Sequence, residues 1–182
     1  FIIFRIVAHA LQSIESANKA YNIAYLLEEV RITYKQDVKV SVANINIDAK
    51  DGDISLLSRW IAKILFNANL VEIHDNEVSS YISRSLNRER ISRPHDLASI
   101  DVDFYVRVND YISGLKERER ENLMMSLNSF IATRLEKLVK LAAASTISPE
   151  LEAKLSAEEK QLYTLTHDFT VDFKQSVMKK FD

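Results

Sequence analysis

Two glycines and two prolines are all that 182 residues contain, and this scarcity is the tightest constraint on the fold. Turn-rich β architectures need glycine where φ must be positive and proline where a turn must be rigid. A chain with so little of either is expected to run as long helices, with strands confined to a short stretch. The rest of the composition is ordinary. Hydrophobic residues make up 47% and charged residues 27%, as in globular rather than disordered chains. A body of this length buries about 70% of the surface its unfolded chain exposes, so it needs no covalent staple.

Composition also removes function classes. Cysteine is absent, which excludes disulfides, thiolate metal ligands and a thiol nucleophile. Two glycines cannot build a phosphate-cradling loop, and neither GxxxxGK(S/T) nor GxGxxG occurs. The net charge is −2 and the pI about 6.1, so no global field draws the chain to DNA or anionic lipid. No apolar run approaches the ~20 residues of a membrane span. The opening "FIIFRIVAHAL" is split by Arg5 and lacks the charged flank and cleavage site of a signal peptide. A soluble, intracellular protein without membrane contact is expected.

Periodicity divides the chain. Ala17, Ala20, Tyr21, Ala24 and Leu27 mark a helix face from about Ser13 to Glu29. Alternation then takes over: Val30, Ile32 and Tyr34, next Val38, Val40 and Val42, then Ile45 and Ile47 predict short half-buried strands. After the turn "DAKDGD", residues Leu56, Leu57, Trp60, Ile61, Ile64 and Leu65 lie at helical spacing. Asn67-Ala68-Asn69 ends that helix, and Leu70 to Ile73 reads as a closing strand. Residues 1–77 thus predict a small α/β domain, with Trp60, Ile61 and Ile64 as its core.

Residues 78–182 predict a helical domain. Val78, Tyr81, Ile82 and Leu86 begin a first helix; Phe104 to Leu115 form a second, with Asp101 as its cap. Leu123, Leu127, Phe130, Ile131, Leu135, Leu138 and Leu141 line a long third helix. Ser148-Pro149 reads as an N-cap with proline at the first helical position. Ser156 and Glu159 fit a capping box opening a last helix with Leu162, Leu165, Phe169, Phe173 and Val177 inside. Short links predict an antiparallel bundle. The fold class is mainly α: a helical bundle preceded by a small, β-rich α/β domain.

No catalytic, cofactor-binding or metal-binding residue is expected. His9, His74, His95 and His167 fall in different elements, without an HExxH or triad-like setting. Asp48, Asp51 and Asp53 imitate a calcium loop, but the place of the bidentate Glu is occupied by Arg59. Asp96, Asp101 and Asp103 are accounted for as caps and exposed carboxylates. Arg84, Arg88, Arg90 and Arg93 give residues 84–93 a local charge of +3. They are candidate nucleic-acid contacts, or else a solvated helix end. Arg134, Lys137 and Lys140 read as the polar side of the long helix. Leu123-Met124-Met125 and Leu141-Ala142-Ala143-Ala144 widen its apolar arc beyond one stripe, and such width marks an interface.

The order of these pieces resembles a family. A Trp-containing helix followed by a strand (Trp60, Ile61, Ala62, then Leu70 to Ile73) closes the small domain, with Ser58 where the family pattern has proline. Asp103-Phe104-Tyr105 then opens a helix after a basic link, and Arg134 and Lys137 stand late in the long helix. Over residues 30–180 the chain is similar to a GINS subunit of the archaeal type with the small domain first, the counterpart of the second and third eukaryotic subunits. The resemblance implies a non-catalytic scaffold in DNA replication, cytoplasmic and nucleoid-associated in an archaeon. It would join a second GINS subunit type of opposite domain order in a 2:2 heterotetramer. That assembly would bridge the MCM helicase and a RecJ-like protein, with primase as a further candidate partner. Phe104, Tyr105, Leu123, Met124, Leu127, Arg134 and Lys137 are the implied interface residues. The alternative is a nucleic-acid-binding helical module working through Arg84 to Arg93.

Overall fold

The computed structural model describes residues 16, 19–42, 45–74 and 76–178; His9 and the apolar opening segment lie outside them. The fold is mainly helical, with a small β region on its N-terminal side. A first helix, α1, covers residues 19–27. Five strands follow: β1 (Glu29–Tyr34), β2 (Val38–Val42), β3 (Ile45–Ala49), β4 (Ile54–Ser58) and β5 (Val71–Ile73), with α2 (Arg59–Asn67) between the last two. The helical body comprises α3 (Asn76–Ile91), α4 (Phe104–Ser113), α5 (Glu117–Ala144), the single turn α6 (Pro149–Glu152) and α7 (Ala157–Met178).

The small unit has two sheets: β4-β1-β5, antiparallel throughout, and the hairpin β2-β3. Register places Val30 opposite Leu57 and Tyr34 opposite Val71 on the inner side, with Arg31 opposite Leu56 and Thr33 opposite Ile54 on the outer side. Val30, Ile32, Tyr34, Val38, Ile47, Ile61, Ala62, Leu65 and Val71 form the core. Residues 54–58 are a strand, where helical spacing was expected from Leu56 onward. Because α2 begins only at Arg59, its sheet-facing positions are Ile61, Ala62 and Leu65. Trp60 and Ile64, one turn apart, lie to the side. Trp60 is half-buried against the core and Ile64 is 48% exposed, which corrects two of the three expected core residues.

Local chemistry accounts for the turns. Gly52, at φ +82°, occupies the tight turn closed by the Asp53 N–H to the Lys50 carbonyl. The aspartates around it are engaged structurally: Asp53 accepts from the Lys50 N–H, Asp37 from the Asp51 N–H, and Asp48 pairs with Lys39. Asn69, at φ +57°, ends α2. The Leu70 N–H reaches the Leu65 carbonyl and the Asn69 N–H that of Phe66, a Schellman arrangement.

In the body α5 is the spine. Val78, Ile82, Ile100, Phe104, Val108, Ile112, Leu127 and Phe130 pack α3 and α4 on its first half. Leu97, Leu138, Ala142, Leu155 and Tyr163 pack α7 and the links on its second half. The bundle is not simply antiparallel. Arg134 meets Glu159 while Ala142 meets His167, so α7 runs parallel to α5. Ile82 packs with the cluster of Phe130 and Glu89 pairs with Arg134, so α3 runs parallel to α5 as well. The segments before α4 and α7 carry the chain back along the spine, and these returns replace the short antiparallel links. Ser148 caps α6 from its hydroxyl, with Pro149 at the first position. The Ser156–Glu159 capping box forms in both directions, each bond 3.3 Å. Asp103, not Asp101, holds the N-cap position of α4, and its side chain makes no cap bond; it pairs instead with Arg107.

Helix α1 fastens the α/β unit to the body. Its buried residue is Tyr25, whereas the expected face residues Ala24 and Leu27 are exposed. The guanidinium groups of Arg59 (4.3 Å) and Arg107 (5.1 Å) both lie over the Tyr25 ring, an arrangement of cations over an aromatic face. Its hydroxyl donates to Asp110, which also pairs with Lys63. Arg107 adds a two-pronged pair with Glu28, at 3.0 and 2.5 Å.

The core assignment has a measurable consequence. Ile61→Ala is expected to lose about 2–5 kcal/mol of stability, while Ile64→Ala should stay within about 0.5 kcal/mol of the parent. Paired urea titrations read the difference, and equal losses would contradict the phase assigned to α2.

Candidate functional site

The expected interface residues divide into buried and open groups. Phe104, Leu127, Arg134 and Lys137 are buried within the chain; Tyr105 and Leu123 are half-buried; Met124 is exposed. The first four cannot meet a partner from where they stand. Phe104 contacts the rings of Tyr81, Tyr105 and Phe130, and Leu127 belongs to the same core. Arg134 and Lys137 are neither a polar face nor an interface. They are the cations of an internal network.

That network links four helices. Arg134 of α5 donates from Nε and one terminal nitrogen to the two oxygens of Glu159 (2.6 and 2.7 Å). Its other terminal nitrogen donates to Glu89 of α3 (2.7 Å) and to the Ala98 carbonyl (2.8 Å). The Lys154 carbonyl, at 3.2 Å, takes the last N–H. All five guanidinium donors are thereby used. Lys137 places its three protons on Glu89 (2.7 Å), the Ser92 hydroxyl (2.5 Å) and the Asp96 carbonyl (3.0 Å). Glu89 also accepts from the Ala98 N–H, and Glu159 from the Tyr105 hydroxyl of α4. Two cations and two carboxylates cancel, with every donor satisfied.

Such a set is stable only when complete, because a buried charge without its partner keeps its full desolvation cost. Burial, with Glu159 beside it, pushes the Tyr105 phenol far above its ordinary range. Burial likewise raises the Tyr81 phenol to about 12. At the exposed end of the network, the hydrogen bond from Lys154 lowers the Asp96 carboxyl. The three described histidines do structural work or face solvent: His74 bonds Thr33 (2.8 Å), His167 bonds the Ala142 carbonyl (2.9 Å), and His95 is exposed. Among the described residues, no group of three His, Asp or Glu could hold a metal ion.

The open apolar surface lies elsewhere. Ile131, Leu135 and Val139 recur every fourth residue along α5 and are exposed. On α7, Phe169 is 66% and Phe173 59% exposed, and Val177 is also open; all three had been expected inside. They are open because α7, parallel to α5, overruns the end of its partner. A groove of about 180 Å³ between the two helices is lined by Ile131, Leu135, Leu138 and Leu162, with Tyr105 and Glu158 beside them. The repeat at 131, 135 and 139 is readable in the sequence. Nothing there says whether this stripe or the one through Leu127, Phe130, Arg134 and Leu138 faces inward.

Arg84, Arg88, Arg90 and Arg93 are all exposed. Arg84 and Arg88 share one side of α3, one turn apart. Arg84 borders the cleft between sheet and body, while Arg90 borders the groove between α3 and α5. No protein-family model matches the chain, and no curated protein matches it. No helix among the described residues is long and apolar enough to cross a membrane.

Two predictions follow from the network and its neighbours. Arg134→Ala should cost about 3–5 kcal/mol because it strands two buried carboxylates, while Lys140→Ala, which removes only an exposed pair with Glu136, should leave the melting temperature essentially unchanged. Thermal denaturation of both variants checks this. The raised phenols also set an alkaline limit. An unfolded tyrosine ionises near pH 10, so the stability tied to Tyr81 is intact below that pH and drains away as pH climbs toward 12. In an absorbance titration of tyrosinate, Tyr81→Phe and Tyr105→Phe should remove ionisations that otherwise appear only late or on unfolding.

Proposed function

We propose that the chain is a non-catalytic scaffold subunit, and specifically a GINS-type subunit that works by holding partner proteins in a fixed arrangement. The observation that carries the scaffold reading is the apolar groove of α5 and α7. A stripe of exposed aliphatic side chains on α5, continued by two open phenylalanines on α7, is the kind of surface that marks a protein interface. An amphipathic helix laid into a groove is a recurrent way of filling such a surface. The two-part architecture supports the finer reading. A small α/β unit comes first, tied to a helical body by the Tyr25 contacts, and the pieces stand in the order of the subunit type with the small domain first.

On this reading the groove receives a helix of a second GINS subunit type whose domains are in the opposite order, and two of each make the tetramer. The tetramer holds the MCM helicase and a RecJ-like protein together in an archaeal replisome, with primase as a further contact. The work is geometric: the α/β unit and the outer faces of the body present surfaces at fixed spacing. An obligate interface of this kind commonly buries ~2,000 Å² or more.

The test is assembly. Mixed with a second GINS-type subunit, the chain should sediment as a complex of about four chains. Leu135→Glu or Phe173→Glu should weaken that assembly at least tenfold, about 1.4 kcal/mol, without lowering the melting temperature of the chain alone. A monomer at micromolar concentration that stays a monomer after mixing would sink the proposal.

A further inference from the structure

A cleft of about 700 Å³ separates the outer face of β1 from α3 and the start of α4. Arg31, on β1, and Arg84, on α3, both line it, and Arg88, beyond the mouth of the cleft, continues the line one turn, about 6 Å, along α3. All three are exposed, and none pairs with a carboxylate among the described residues. The other cations of the cleft are occupied: Arg107 holds Glu28 and Asp103, and the Arg59 guanidinium stacks on Tyr25. Glu28 is thus neutralised, and among the described residues the acids left on these walls are Glu29 and Asp101. The Tyr81 hydroxyl accepts from the Asp101 N–H at 3.0 Å and lies against the Asp101 carboxylate, so Tyr81 holds Asp101 at the wall and is not counted as a ligand donor.

We propose that this cleft is a track for the phosphodiester backbone of single-stranded nucleic acid, with Arg31, Arg84 and Arg88 on successive phosphates. The inference stands apart from the scaffold reading. Planar guanidinium groups match phosphate oxygens in pairs, and three in a row suit a polyanion better than a lone ion. A cleft this size is that of a small-ligand pocket, so it admits a few nucleotides of one strand and not a duplex. Its aromatic ring, Tyr81, is half-buried edge-on to Phe104. With no base-stacking platform, contact is to the backbone and independent of sequence. Glu29 and Asp101 hold the affinity down, into the range of about 10⁻⁴–10⁻⁶ M found for non-specific binding. Arg90, turned toward the α3–α5 groove, takes no part.

Fluorescence anisotropy of a labelled oligothymidylate with the full chain, at several salt concentrations, decides the matter. Three phosphate contacts to a single strand give a slope of log affinity against log salt of roughly −2. Arg31→Gln and Arg84→Gln should each weaken binding and flatten the slope by about 0.7. Arg90→Gln, and the paired change Arg118→Gln with Arg120→Gln on the exposed start of α5, should change neither. The proposal fails if no binding is seen at about 100 µM protein in low salt, or if the α5 pair matters as much as Arg31 and Arg84. It also fails if a duplex of the same length binds as tightly, or if polyglutamate displaces the strand as well as unlabelled oligothymidylate does, since the cleft then takes acidic peptide.

Discussion

The helical body is organised around one guanidinium. Arg134 sits 1% exposed on α5 and directs its donors to α3, to α7, and to the two return segments at Ala98 and Lys154. Two of the three neighbours of the spine run parallel to it, and parallel helices need long returns that tight turns cannot supply. Such returns carry backbone carbonyls past the interior, where each must find a donor. A five-donor side chain at the crossing satisfies two of them and fixes two carboxylates at once. Lys137 does the same for Asp96 and Ser92 on the first return. The charges do not add cohesion in the way apolar packing does. They specify which helix lies against which, because any other pairing leaves an ion buried alone.

The small unit relies on a different device. Its two sheets have three and two strands and its helix α2 nine residues, so the apolar area available is modest. Cationic and aromatic contacts at Tyr25, with the Arg107–Glu28 pair, attach it to α4 through a helix that belongs to neither core. The α/β unit is therefore seated against the body along α1 and α4. The cleft beside that seam, bordered by β1 and α3 and sharing Glu28, Arg59 and Arg107 with it, is a product of the same geometry.

Much of the architecture could be read from residue order. Glycine and proline scarcity announced helices, alternation located β1 to β3 and β5, and Ser148, Pro149, Ser156 and Glu159 marked two helix starts to the residue. Strand β4 was missed because Leu56, Leu57, Trp60 and Ile61 satisfy a helical period as well as an extended start followed by a turn of helix. The open face of α7 was missed for a topological reason. Phe169 and Phe173 are spaced like core residues, and only the parallel course of α7 past the end of α5 leaves them uncovered. Arg134 and Lys137 were read as surface because long cations are rarely buried. Their partners, Glu89 and Glu159, lie 45 and 25 residues away from Arg134, and Glu89 sits among four arginines that disguise its role.

The separation of Glu159 from Arg134 bears on how the molecule comes into being. During synthesis from the N-terminus, Glu89, Arg134 and Lys137 are made before Glu159. In that interval two cations compete for one carboxylate, and the first return is already in place without the second. A partly made body therefore cannot close over its own charges, and the site must stay hydrated until α7 docks. Completion of the interior is thus coupled to the arrival of α7, the same helix that brings Phe169 and Phe173 to the surface. The α5 stripe of Ile131, Leu135 and Val139 is made earlier, but its groove gains a second wall only with α7, so the half-built protein carries no finished docking surface.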